Sequence, residues 1–255
     1  MAGPLAEERR IDDPAWLKAH LDEERRRADL LAEIREAIFG AQDGIVSILT
    51  VVSTLGGATQ DNRVILIGGI ATTVAEVFSM AAGEYMGSKS QHEVFAAQIA
   101  EEREEVRDRP LEAQAEVAFM LEREGLDPAR ARRAAAEIAS NPEVLLRTMV
   151  EKELGLAPGA DLQPARGAFI LSGALAVAAL IPLVPYFFFT LPTALVVSVV
   201  ASAIALFALG VVKARWTRGP ALRSGLEIVS LAAVAGVGGY VVGTLLPTLL
   251  TGLHP

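Results

Sequence analysis

Apolar residues along this chain fall into five long blocks, at 37–59, 64–86, 167–189, 193–212 and 226–250, while charged residues crowd into 5–36 and 89–166. Each block reaches the roughly 20 residues that a helix needs to cross about 30 Å of hydrocarbon. The pattern predicts an all-α membrane protein with five transmembrane helices. It divides the chain into an N-terminal amphipathic helix within 1–36, spans one and two in 37–88, a polar helical domain in 89–163, and spans three to five in 164–255.

Within the first region, Trp16, Leu17, Leu21, Leu30, Leu31 and Ile34 form an intermittent apolar stripe, which predicts a helix over Pro14–Glu36 lying at the membrane interface. The turn at 60–63 is so short that spans one and two must be antiparallel neighbours. No breaker follows Gly87, so the helix of span two is expected to continue as a stalk to Val106 and to stop at Arg107-Asp-Arg-Pro110. Further helices are expected over Leu111–Glu124, after Asp127-Pro128, and over Pro142–Leu154 after Asn141, because a capping side chain followed by proline is a helix start. A loop at 155–163, with Pro158 and Pro164, leads back to the membrane, and Pro182 or Pro185 is expected to kink or end the third span.

Composition narrows the chemistry. With a net charge of −8 and no basic tract carrying aromatics, the chain is not expected to bind nucleic acid. It has no cysteine, so thiolate metal sites, disulfides and thiol nucleophiles are excluded. No nucleophile–base pair or cofactor motif points to an enzyme, and no Glu-x-x-His pair suggests an oxidising di-iron centre. The first 36 residues hold no apolar core followed by a small-residue cleavage site, so no cleaved signal is expected among them. Lys213, Arg215, Arg218 and Arg223 join spans four and five, and most other arginines lie before span one or in 89–163. The positive-inside rule therefore puts the N-terminus and the polar domain in the cytoplasm and the C-terminus on the opposite side. The chain lacks an Asn-x-Ser/Thr acceptor, which leans toward a bacterial cytoplasmic membrane over a vacuolar one.

Against this background Asp43 stands out, since a carboxylate inside a span costs several kcal/mol unless a cavity, partner or ion meets it. It lies eight residues past Arg35, about 12 Å into the membrane, and Met80 lies nine residues before Lys89, about 13 Å in. Carboxylate and thioether at one depth on adjacent helices suit a borderline divalent transition metal. Glu76, 13 residues from both Arg63 and Lys89, is near mid-membrane, where it is a second ligand, a proton carrier or a packing group; Glu84 is nearer the interface. In the polar domain, the break at 107–110 brings Glu102 and Glu105 opposite Glu112 or Glu116, with Met149, Glu151 and Glu153 on the last helix. Such acidic runs are often only solvated faces.

The stretch Arg35-Glu-Ala-Ile-Phe-Gly-Ala-Gln-Asp-Gly-Ile-Val-Ser47, the stretch Ser79-Met-Ala-Ala-Gly-Glu-Tyr85 with Ser90-Gln91, and Met149–Gly155 resemble the vacuolar iron transporter family, also called CCC1-like. The resemblance covers nearly all the chain from Ile34 onward. It implies proton-coupled export of ferrous iron, with manganese carried by some members, by a homodimer in the lipid bilayer; no cofactor is expected, since the chain holds no cofactor motif. By position it implies membrane ligands at Asp43 and Met80 and cytoplasmic ligands at Glu102, Glu105, Glu116, Glu153 and Met149. The chain departs from the family in having Ala113 where a further glutamate is usual, with Glu112 beside it as the candidate substitute, and Val150 where a second methionine is common.

Overall fold

The computed structural model describes residues 13–155, 163–217 and 219–251. Pro158 of the expected return loop, Arg218 and the tail from 252 lie outside the described residues. The described helices are α1 (Pro14–Ala58), α2 (Asn62–Asp108), α3 (Pro110–Arg123), α4 (Pro128–Ala139), α5 (Pro142–Lys152), α6 (Pro164–Leu183), α7 (Pro185–Phe188), α8 (Thr193–Thr217) and α9 (Ala221–Thr251). They form two compact units, one from Met1–Gly83 with Ala165–Pro255 and the other from Glu84–Pro164, so α2 contributes residues to both. Among the described residues, five stretches are long and apolar enough to span a membrane, in α1, α2, α6 with α7, α8 and α9. These are the five spans the hydropathy pattern predicts.

One boundary differs from expectation. The polar stretch before residue 37 does not form a separate interfacial helix, because α1 runs unbroken for 45 residues. The physical reason is local: Glu36-Ala-Ile-Phe39 crosses from polar to apolar sequence without a proline or capping residue, and composition alone does not interrupt a helical hydrogen-bond ladder. Glu33 then ties this stretch to the start of α6 through a 2.7 Å ion pair with Arg166. The helix begins where Asp13 accepts a hydrogen bond from the Ala15 amide, ahead of Pro14.

In the membrane unit α1 is central, and it buries Gly40, Gly44, Ile45, Ile48, Leu49, Val52, Ser53 and Gly56. Close helix contact explains the small residues, since in lipid helices associate mainly by packing and not by expulsion of water. A Cβ on Gly44 would lie 2.5 Å from the Leu175 carbonyl oxygen of α6, and one on Gly239 of α9 would lie 2.8 Å from the Thr50 carbonyl oxygen. Pro182 is tolerated inside α6, whereas Pro185 opens the short α7. The buried Ser198 hydroxyl of α8 donates to the Pro182 carbonyl at 2.8 Å, capping a carbonyl near the helix break. At that end of the unit the Asn62 amide donates to the carbonyls of Tyr186 and Phe189, at 3.2 and 2.6 Å, so the turn after α1 and the turn after α7 share one end of the bundle.

The second unit packs α3, α4 and α5 with the last turns of α2. Its core contains Val106, Ala113, Val117, Ala135, Leu145, Leu146, Met149 and Val150. Asp127 caps α4 by accepting from the amides of Ala129 and Arg130, and Asn141 caps α5 by accepting from Glu143. Both starts fall where the cap-then-proline pattern puts them.

Candidate functional site

The register between α1 and α2 follows from three contacts. Leu55 abuts Gly68, Val52 lies against Gly69, and the Ser47 hydroxyl is hydrogen-bonded to Glu76 Oε1. As one helix is followed forward the other runs backward, as the short turn requires. Four residues back from Ser47 is Asp43, and four residues on from Glu76 is Met80. Residues four apart share a helical face, so Asp43 and Met80 sit at one level, one turn from the Ser47–Glu76 bond. Both are half-buried, and no donor or cation among the described residues pairs with Asp43. Flanking glycines let the helix around Asp43 lie flush against α6, because Gly40 meets the Leu171 backbone and Gly44 that of Leu175.

In the second unit the turn between α2 and α3 doubles the chain back and gathers carboxylates. Oxygens of Glu105, Glu112 and Glu116 lie within 4.8 Å of one another, an arrangement able to hold a metal ion. Glu102 and Glu153 are close enough to act electrostatically on this group: Glu153 raises the proton affinity of both Glu102 and Glu116. Glu102 Oε2 is buried without a hydrogen-bond partner among the described residues. A buried, unpartnered carboxylate oxygen is costly unless something else coordinates it. Glu112, next to the departed position 113, thus joins the cluster, while Ala113 itself is 0% exposed in the core. Met149 is likewise 0% exposed and Val150 3%, so these positions pack into the hydrophobic centre.

Two partners were not legible from motif spacing. Arg109 bridges the cluster, with Nη1 3.0 Å from Glu112 Oε2 and Nη2 3.2 Å from Glu105 Oε2; the sequence marks this residue only as part of a helix break. Ser47 is the partner of Glu76, and its spacing of four from Asp43 is the signal that could have found it.

Crowding of like charge has a measurable consequence. Burial, then the charge of Glu105 and a hydrogen bond with it, then the charges of Glu153 and Glu112 push Glu116 from its ordinary 4.5 up to about 7. Glu102 is also raised, by burial and then by Glu153, Glu105 and Glu101. For an acid whose folded pKa lies above the unfolded one, the stabilisation is present below the unfolded value and is lost as pH rises through the folded value. Metal-free protein is therefore expected to melt at a progressively lower temperature as pH is raised from about 5 to about 8. Glu116→Gln should flatten that slope in a melting series.

Comparison with known proteins gives a consistent set of relatives. A family model described as the VIT family matches residues 34–244. The chain is 31% identical over 208 residues to vacuolar iron transporter 1 of Arabidopsis thaliana, covering 81% of this chain and 83% of that one. It is 30% identical over 232 residues to vacuolar iron transporter 2 of Oryza sativa subsp. japonica, covering 90% and 94%. To protein CCC1 of Saccharomyces cerevisiae it is 24% identical over 218 residues, covering 82% and 66%.

Proposed function

Because the chain belongs to the VIT family, we propose that it exports ferrous iron from the cytoplasm in exchange for protons. In this reading the carboxylates of Glu102, Glu105, Glu112, Glu116 and Glu153 gather the ion, and Met149, fully buried in the core of the same unit, is the candidate sulfur donor. Asp43 and Met80 then bind it within the membrane. The protein works as a homodimer, with its N-terminus and residues 89–163 on the cytoplasmic side and its C-terminus opposite. Ile67, Val74 and Phe78 of α2 are exposed in the single chain, a face that lipid or a second copy would cover. The observation that carries the reading is the pairing of levels: Asp43, without a partner among the described residues, at the level of Met80 and one turn from the Ser47–Glu76 bond. Oxygen with one sulfur is the donor set expected for a borderline divalent ion.

Val150, packed in the core where the family commonly has a second methionine, favours manganese as an alternative cargo, because fewer sulfur donors shift preference toward harder ions. Liposomes containing the purified protein discriminate these readings. Fe²⁺ uptake that excess Mn²⁺ barely inhibits supports iron, and the reverse competition supports manganese. Metal binding with no flux of either would replace transport by a membrane-anchored metal-binding scaffold.

Arg109 makes a separate prediction. A fixed cation beside a cation site opposes loading, and it also occupies oxygens of Glu105 and Glu112. Arg109→Gln is expected to tighten Mn²⁺ binding about three- to tenfold at low ionic strength, with a smaller gain as salt screens the charge. Titration calorimetry on the full chain would check it, with Arg109→Lys expected to restore the weaker affinity.

A further inference from the structure

Glu76 is a mid-membrane carboxylate that the proposed route does not yet use. It lies 13 residues from each flanking cation, Arg63 and Lys89, about 20 Å along the helix from either. Its two oxygens have different environments. Oε1 is hydrogen-bonded to the Ser47 hydroxyl, and Oε2 is buried with no partner among the described residues. Helix packing accounts for the first oxygen but not for the second: a residue serving only to pin α1 to α2 needs one hydrogen bond, which an uncharged side chain supplies without putting a carboxylate in hydrocarbon.

Polar side chains also occupy the neighbouring levels. On one side, one turn away, are Asp43 and Met80. On the other are Thr50, three residues on from Ser47, and Thr73, three residues back from Glu76. Their hydroxyls donate to the Val46 and Gly69 carbonyls, at 2.7 and 2.8 Å, which leaves oxygen lone pairs free to accept. Oxygen-bearing side chains therefore occupy three successive levels of the α1–α2 seam, with a carboxylate at each of the first two.

We infer that Glu76 Oε2 forms a second station for the transported divalent cation, one turn deeper than Asp43 and Met80. Ser47 holds the other oxygen and so fixes the orientation of the carboxylate. The station offers oxygen alone, so it accepts any small divalent ion that the sulfur-containing level has admitted. This inference rests on the transport reading above and adds a residue to its route.

The test is the concentration dependence of Mn²⁺ flux into liposomes for the wild type, Glu76→Gln and Ser47→Ala. Glutamine still pairs with Ser47, so the fold is preserved while the charge is removed. Turnover is expected to fall about tenfold in Glu76→Gln with half-saturation within about twofold of wild type, because the first ligands are intact. Ser47→Ala should fall less, about threefold, and should add nothing on the Glu76→Gln background. Wild-type turnover in Glu76→Gln overturns the second station, as do losses from the two variants that simply multiply. Absence of flux in the wild type overturns the transport reading itself.

Discussion

Asp43→Ala is expected to lower metal flux at least about a hundredfold, equivalent to roughly 2.7 kcal/mol of lost stabilisation of the ion in its path, while the protein stays folded. Both halves follow from the surroundings of Asp43. No donor or cation among the described residues pairs with it, so truncation breaks no hydrogen bond and relieves the burden of a carboxylate in the span. In the proposed route the ion loses its carboxylate ligand at this level, and Met80 alone is a weak donor to a hydrated divalent cation. Asp43→Asn, which keeps the shape and one oxygen, should fail nearly as badly if charge is what matters. Liposome flux measured beside a melting curve separates loss of the ligand from loss of the fold.

Gly243→Leu is expected to abolish folded protein, and Gly243→Ala to lower stability by about 1–3 kcal/mol, the usual range for an overpacked methyl or more. A Cβ at this position of α9 would fall onto the Thr54 carbonyl and α-carbon of α1. Backbone cannot rotate aside as a side chain can. The same seam includes Gly57, whose Cβ would lie 2.7 Å from the Tyr240 carbonyl oxygen. Gly238, five residues earlier on α9, has nothing within 4 Å of a built Cβ. Gly238→Ala should therefore be neutral or slightly stabilising, since alanine is the better helix former. Detergent melting of the two alanine variants checks the contrast.

The parts of this fold that the sequence makes legible are those governed by local rules. Five apolar blocks of membrane length, the Asp127-Pro128 and Asn141-Pro142 helix starts, and the break at Arg107–Pro110 each act through a few adjacent residues. The unbroken passage of α1 through residue 36 is not legible in the hydropathy pattern, because hydropathy changes there while backbone propensity does not. Pro182 and Pro185 look alike in sequence, yet only Pro185 opens a new helix, with Ser198 of a different helix stabilising the carbonyl between them.

The site divides the same way. Helix rise alone puts Asp43 and Met80 at one depth, and the Ser47–Glu76 register agrees. Arg109 was not legible as a bridge because its role depends on how tightly the turn brings Glu105 and Glu112 together. Nor could spacing tell that Ala113 and Val150 are core positions, where an apolar side chain improves packing while removing a donor. Which face of α3 and α5 turns inward is decided by their mutual packing, a non-local property.

Transport as proposed exchanges a metal ion for protons. The most direct measurement records Fe²⁺ entry and internal pH together in liposomes holding the purified protein, with an imposed pH gradient. Fe²⁺ movement accompanied by protons in the opposite direction, accelerated by the gradient and absent in Asp43→Ala, is the predicted result. Fe²⁺ movement that leaves internal pH unchanged and ignores the gradient would contradict it.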